Sequence, residues 1–201
     1  MEISHTQRLA KVLRWLVTLV FACNLLLLPL LPGHVLMYIQ ANGTAAFSFN
    51  ALLGSMRTLL SYEVPAWEIL LLRPLQLLAT QSLSAGASFW LTSLFFLGCG
   101  MCTACILWQA RRILGTIVAL SPFQMANAVA MERAALGCWG VSALALLRLI
   151  FWFVLLRNSS PLFTYTALLV PLAFVLGLLF LVMSALFRQA AELKEDNDLT
   201  I

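Results

Sequence analysis

Charged side chains are scarce in this sequence. They make up only 10% of the 201 residues, whereas hydrophobic residues make up 62%. Soluble domains carry roughly 25% charged residues, so the composition excludes an ordinary soluble domain. The formal net charge is +4, and the basic residues are scattered along the chain. That distribution argues against direct nucleic-acid binding.

Acidic side chains are absent from the long apolar runs. All eight acids lie outside them: Glu2, Glu63, Glu68, Glu132, Glu192, Glu195, Asp196 and Asp198. Pumps and proton-coupled transporters usually need ionisable groups within the membrane, and Arg148 is the only one here. No His-rich metal motif, nucleophile elbow or phosphate loop is present. The sequence therefore predicts that the protein is not an enzyme and needs no cofactor.

Four apolar runs are long enough to cross a bilayer, because a spanning helix needs about 20 apolar residues. The sequence predicts spans at 12–32, 87–108, 134–156 and 162–187. The first run has a basic start like that of a signal peptide, but no small-x-small cleavage site follows it closely. We interpret it as an uncleaved span. The expected fold is an all-α integral membrane protein, a four-transmembrane-helix bundle that forms one membrane domain, 1–201.

Lys and Arg are distributed unequally between the predicted loops. With both termini inside, eight lie on the inner face: Arg8, Lys11, Arg14, Arg111, Arg112, Arg133, Arg188 and Lys194. Three lie on the outer face: Arg57, Arg73 and Arg157. The positive-inside rule therefore predicts that both termini are cytoplasmic.

The predicted outer segment, 33–86, has patterns of its own. Asn42-Gly43 stands between apolar-leaning runs, which is typical of a hairpin. One helical face then collects Leu52, Met56, Leu59 and Leu60, as in helices that lie in the membrane interface. We expect a small extracytoplasmic cap resting on the bilayer; the alternative is a spacer that only shields the spans.

Two further segments are predicted to be cytoplasmic. In the inner loop, 109–133, Ser121 fits a helix N-cap and Pro122 the first helical position. The helix that follows continues without a breaker into the third span, and we call it the lead-in helix. In the tail, 188–201, Arg188 and Glu192 are four residues apart and can pair on a helix surface.

These two segments carry a family resemblance. The stretches "SPFQMANAVAMERAALGCWG" (121–140) and "AAELKEDNDLTI" (190–201) resemble the YoaS-like family of uncharacterised four-span bacterial membrane proteins, a domain of unknown function. The lead-in helix departs from the family's more basic pattern. The resemblance implies a place in the bacterial cytoplasmic (inner) membrane. Members are often encoded beside a small Cro/CI-type helix-turn-helix regulator, which implies a membrane partner that holds or antagonises a transcription factor.

The first functional hypothesis is therefore a regulatory membrane protein that binds or sequesters such a regulator. The candidate contact residues are Phe123, Arg133, Glu195, Asp196, Asn197, Asp198, Leu199, Thr200 and Ile201. An extended tail with alternating side chains could add a strand or fill an apolar groove. Its acids could compete with DNA for a basic surface. The alternative is a frayed, solvated terminus.

The second hypothesis is a transporter or channel component, alone or as a subunit. The sequence also leaves open that the protein forms a homo-oligomer. The second hypothesis rests on Arg148, near mid-membrane, and on Asn24 in the first span. An arginine at that depth costs at least ~2.5 kcal/mol on insertion scales. Arg148 could hold an anion, a lipid headgroup or a partner's carboxylate. Alternatively, it snorkels toward the outer face or is satisfied by carbonyls and hydroxyls within the bundle.

Cysteines form the last candidate site. Cys99, Cys102 and Cys105 make two overlapping Cys-x-x-Cys units, a spacing that suggests a metal or redox site in a soluble protein. In a bilayer, small residues let helices approach closely, and free cysteine behaves as a small hydrophobe. We therefore expect a helix contact. The alternatives are a soft-metal site that includes Cys138, redox sensing, and lipidation.

Overall fold

The structure of the chain is a computed structural model. It describes residues 2–42, 68–81, 86–121, 123–155 and 165–199. Within these ranges the backbone forms helices and the turns that join them, and no strand occurs. The all-α fold class is therefore confirmed. The predicted interfacial helix at 52–60 lies outside the described residues.

The described residues contain six α-helices in chain order: α1 (Glu2–Leu27), α2 (Leu31–Asn42), α3 (Arg73–Gln81), α4 (Ala87–Val118), α5 (Met125–Leu155) and α6 (Tyr165–Leu199). A 3-10 turn at Leu28–Leu30 joins α1 to α2, and proline occupies its start, where the missing N–H leaves no hydrogen bond unmade. A π-helical turn at Glu68–Leu72 leads directly into α3.

Four helical stretches are long and apolar enough to cross a membrane: Gln7–Gln40, Ala87–Val118, Met125–Val154 and Thr166–Asn197. Many of their large apolar side chains are exposed, such as Leu94 and Val182. Apolar exposure of this kind suits a surface that faces lipid. The prediction of four spans is confirmed at this level.

Two local predictions differ from the structure. Residues 37–42 are helical, so the hairpin arm predicted before Gly43 is wrong. The first apolar stretch also extends beyond 12–32, because α2 continues α1 through the 3-10 turn. Both predictions relied on local sequence patterns. The apolar run before Gly43 is short, and a short apolar run fits a helix or a strand equally well.

The chain forms two compact units. Unit 1 contains Met1–Leu25, Met101–Ser142 and Pro171–Ile201; unit 2 contains Leu26–Gly100 and Ala143–Val170. The helices α1, α4, α5 and α6 each contribute residues to both units.

In unit 1, α5 presents small residues to its neighbours. Its buried positions include Ala128, Ala134, Ala135 and Cys138. A Cβ on Gly137 would lie 2.8 Å from Ile106 of α4, and a Cβ on Gly140 would lie 2.9 Å from the sulfur of Cys102. Both distances are too short for a real contact, so glycine is what lets α4 and α5 approach this closely.

In unit 2, α2 and α3 pack against each other and against the start of α4. Val35, Leu36 and Phe89 form the buried cluster, with Leu77 and Leu78 packed against it. Gln40 also hydrogen-bonds Gln81 across the α2–α3 pair. Part of the predicted outer segment, 33–86, thus consists of the two packed helices α2 and α3.

The end of α4 holds a strained residue. Leu120 has φ 57°, the left-handed region that disfavours side chains by about 1–2 kcal/mol. The N–H of Ser121 donates to the carbonyl of Thr116, and that of Leu120 to Ile117, which is a Schellman motif with leucine in the glycine position.

We predict that Leu120→Gly stabilises the protein by about 1 kcal/mol, because glycine adopts a positive φ without the steric penalty. Thermal unfolding in detergent measures the change. Ala119→Gly is the control, and it should give no gain because its neighbour keeps the strained conformation. A lower melting temperature for Leu120→Gly would contradict the prediction.

Candidate functional site

The lead-in helix begins later than the sequence predicts. Its first residue is Met125, and the N–H of Asn127 donates to the carbonyl of Gln124. Ser121 instead ends the Schellman motif of α4, so the prediction that it caps α5 is wrong. Asn127 is buried, and its amide donates to the Thr116 hydroxyl at 2.7 Å. This hydrogen bond fixes the start of α5 against the end of α4.

The lead-in helix lies against the last part of α6. The rings of Phe123 and Phe187 are 6.2 Å apart. The Ser184 hydroxyl donates to the carbonyl of Ala128 at 2.8 Å, in a buried position. We refer to residues 123–133 and 184–197 as the α5–α6 end.

An ion pair also joins the two helices at this end. Arg188 lies 3.8 Å from Glu132 of α5, and both side chains are about half exposed. The sequence predicted Glu192 as the partner of Arg188, and the structure replaces it with Glu132. Exposed pairs of this kind contribute no more than ~1 kcal/mol, so this ion pair adds little to the stability of the contact.

The tail is helical as far as the structure describes it. The helix α6 continues to Leu199, so the extended conformation predicted for the tail does not fit Asp198 and Leu199. Glu195, Asp196 and Asn197 are exposed on this helix. Thr200 and Ile201 lie outside the described residues. A helical tail can present side chains every three or four residues, not every second one.

Exposed apolar side chains accompany these polar ones. Phe123 is 50% exposed and Leu193 is 70% exposed. Leu193 stands between Glu192 and Lys194, which are both exposed. In water an exposed leucine gains nothing from its apolar surface, so burial of Leu193 against a partner would be favourable.

Residues 75–201 match the model of a family described as "Protein of unknown function (DUF2975)". The chain belongs to the DUF2975 family. The matched region contains α4, α5 and α6, and therefore the whole α5–α6 end. No curated protein and no solved structure matches the chain.

Arg148 of this DUF2975 protein is buried in unit 2, with 7% of its surface exposed. Its guanidinium carbon lies 4.6 Å from the ring centre of Phe95 and 5.6 Å from that of Phe96. Among the predicted alternatives, this placement favours satisfaction inside the bundle over snorkelling. Asn24, the other predicted polar residue, is half-buried in unit 1, and its Oδ1 accepts no hydrogen bond from the described residues.

The cysteines are all free thiols. Cys102 lies in the close α4–α5 contact beside Gly140, Cys138 is buried on α5, and Cys105 is exposed. Across the described ranges, which include the four candidate cysteines, no group of three or more His, Cys, Asp or Glu side chains could hold a metal. The position of Cys102 against Gly140 therefore favours a role in packing α4 on α5.

One cluster was not anticipated as a site. Arg14, Arg111 and Arg112 were assigned to the same side of the membrane by charge alone, and the structure gathers them around one cavity in unit 1. The signal available in the sequence was the spacing of Trp108, Arg111, Arg112 and Gly115, which places all four on one face of a helix. The contribution of Arg14 depends on the packing of α1 on α4.

Proposed function

We propose that this DUF2975 protein is a non-enzymatic regulatory protein that binds a small cytoplasmic transcription regulator at the α5–α6 end. The Phe123–Phe187 contact carries the proposal. It brings the start of the stretch 121–140 against α6 at a point three residues before the stretch 190–201. The YoaS-like resemblance of these two stretches implies a helix-turn-helix partner. Residues far apart in sequence thus form one surface.

The proposed orientation places both termini in the cytoplasm of a bacterium. The eight Lys and Arg residues assigned to the inner side all fall in unit 1. Their number, against three assigned to the outer side, supports this orientation under the positive-inside rule. Unit 1 also contains the α5–α6 end, so the proposed contact surface would face the cytoplasm.

The chemistry of the surface suits a partner that is basic and partly apolar. Leu193 can enter an apolar groove in the manner of an amphipathic helix. The exposed Glu195 and Asp196 can meet a positive DNA-binding surface and compete with DNA for it. We therefore propose that the tail binds its partner as a helix and not as an added strand.

We predict that Leu193→Ala weakens capture of the regulator by about tenfold, because a central apolar anchor typically dominates binding. The measurement is co-purification, from detergent-solubilised membranes, of a co-expressed Cro/CI-type regulator of the kind that the YoaS-like resemblance implies. The matched control is Leu136→Ala, which removes a leucine of comparable exposure, 59%, from the middle of α5. It should leave capture unchanged.

Two variants that change charge in the tail test whether its acidic side chains contribute to binding of the regulator. Glu195→Gln with Asp196→Asn should reduce capture, whereas Lys194→Gln should not, because only the first removes charge complementary to a basic partner. Deleting 196–201 should have the same effect as the double substitution and leave membrane insertion intact. Undiminished co-purification of all the tail variants would overturn the proposal.

A further inference from the structure

Unit 1 contains a cavity of about 370 Å³, lined by Arg14, Trp108, Arg111, Arg112 and Gly115. Its volume lies within the ~300–1,000 Å³ typical of small-molecule sites. The cavity involves none of the α5–α6 contact residues, so an inference about it does not depend on the proposed regulator.

The cavity lies between α1 and α4, which run antiparallel here. Near one end, a Cβ on Gly115 would lie 3.7–3.9 Å from the guanidinium of Arg14. Seven residues away on each helix, the rings of Phe21 and Trp108 are 5.6 Å apart. Because seven residues are about two helical turns, the two contacts bracket the cavity.

The α4 side of the cavity is one continuous helical stripe. Trp108, Arg111, Arg112 and Gly115 occupy positions i, i+3, i+4 and i+7, which share a face. Arg111 lies over the Trp108 ring, with its guanidinium carbon 5.7 Å from the ring centre. This cation–π contact holds one arginine at the cavity wall, while glycine leaves room for Arg14 opposite.

Three guanidinium groups thus line one small cavity without a compensating carboxylate. Within the part of the chain that the structure describes, no ion pair involves Arg14, Arg111 or Arg112. The sequence also has no acid between Glu2 and Glu63, or between Glu68 and Glu132. Like charges that converge repel one another, and a bound anion relieves that repulsion.

The geometry points to a phosphate-binding site, and we infer that the cavity takes the phosphate of an anionic phospholipid or of a free phosphate compound. Guanidinium groups bind phosphate through paired, charge-assisted hydrogen bonds. Basic pockets between transmembrane helices accept anionic headgroups in this way. Trp108 suits the headgroup level of the bilayer, where tryptophan is enriched.

The first experiment uses the full chain in detergent and native mass spectrometry, with phosphatidylglycerol or phosphatidylcholine added. We expect retained phosphatidylglycerol to exceed phosphatidylcholine, and Arg111→Gln with Arg112→Gln to lower that retention at least tenfold. The control double variant, Arg8→Gln with Arg73→Gln, removes the same charge from positions outside the cavity and should change retention less than twofold.

A second pair of variants tests the cavity without changing charge. Gly115→Leu would fill the space beside Arg14 and should reduce retention to the level of the arginine double variant. Gly115→Ala adds only a Cβ at ordinary contact distance and should retain lipid like the wild type. This pair remains informative if the arginine variants fold poorly.

The source of the phosphate is decided by titrating inorganic phosphate into the lipid-free protein by calorimetry. One outcome is that inorganic phosphate binds the wild type but not Gly115→Leu in calorimetry, while mass spectrometry shows no preference for phosphatidylglycerol. That outcome would support the site with a free phosphate compound as its ligand. Preference for phosphatidylglycerol, lost in the same variant, would support the lipid. The inference would be overturned if Gly115→Leu, Gly115→Ala and the wild type retained phosphatidylglycerol equally and also bound inorganic phosphate equally.

Discussion

The Gly177→Leu variant is expected to lose about 3 kcal/mol of stability, at the upper end of what overpacking costs. Gly177 lies on α6 against the indole of Trp139 on α5, and a Cβ there would also lie 3.3 Å from the backbone carbonyl of Ala135. The indole cannot easily move away, because it stacks on Phe174 with ring centres 6.3 Å apart. A leucine would force α5 and α6 apart.

Thermal unfolding of the detergent-solubilised protein measures this loss. Gly86→Leu is the matched control, because a Cβ at Gly86 would meet nothing within 4 Å. It should cost no more than about 1 kcal/mol, because Gly86 stands at the N-cap of α4, where leucine is less favourable than glycine. Similar melting temperatures for the two variants would show that the α5–α6 contact is not tight.

The Arg148→Leu variant is expected to favour insertion of the third span by about 3 kcal/mol, the difference between arginine and leucine on insertion scales. In the folded protein the same substitution removes the contacts of the guanidinium with Phe95 and Phe96, worth about 0.5–2 kcal/mol. The two effects oppose each other, and they can be measured separately.

Insertion is measured on the isolated segment 134–156 in a microsomal assay, and stability on the full chain in detergent. Arg148→Lys is the control, since lysine keeps the charge but cannot stack on the rings as a planar group. It should insert as poorly as the wild type. The Arg148→Leu variant should still capture the regulator. If the wild type instead carries a solute flux in proteoliposomes and Arg148→Leu abolishes that flux, the transporter alternative is supported.

The sequence predicted what depends on composition and failed where packing decides. The four spans follow from the length and apolar character of their runs, so they could be recognised without a structure. Ser121 was misassigned because nothing in its local pattern shows that Leu120 adopts a left-handed conformation. The partner of Arg188 was misassigned because helix-surface spacing suggests only neighbours on the same helix, and Glu132 belongs to another.

The candidate sites divide in the same way. Exposure of the acids at 195 and 196 could be anticipated from their place in a charged tail, and the helical spacing of Trp108, Arg111 and Arg112 could have been noticed. The convergence of Arg14 on them could not, because it depends on which face α1 turns toward α4. The Phe123–Phe187 contact likewise joins residues 64 positions apart.

The length of α6 has a mechanical consequence. Its 35 residues extend about 52 Å at 1.5 Å per residue, whereas the hydrocarbon core is about 30 Å thick. The helix is therefore some 20 Å longer than the hydrocarbon core is thick. Between residues 178 and 199 there is no glycine or proline, the usual sites of sharp bends. In the proposed arrangement, a rotation of this glycine- and proline-free segment about its axis would also rotate Leu193 and change the face that the segment presents to a bound regulator.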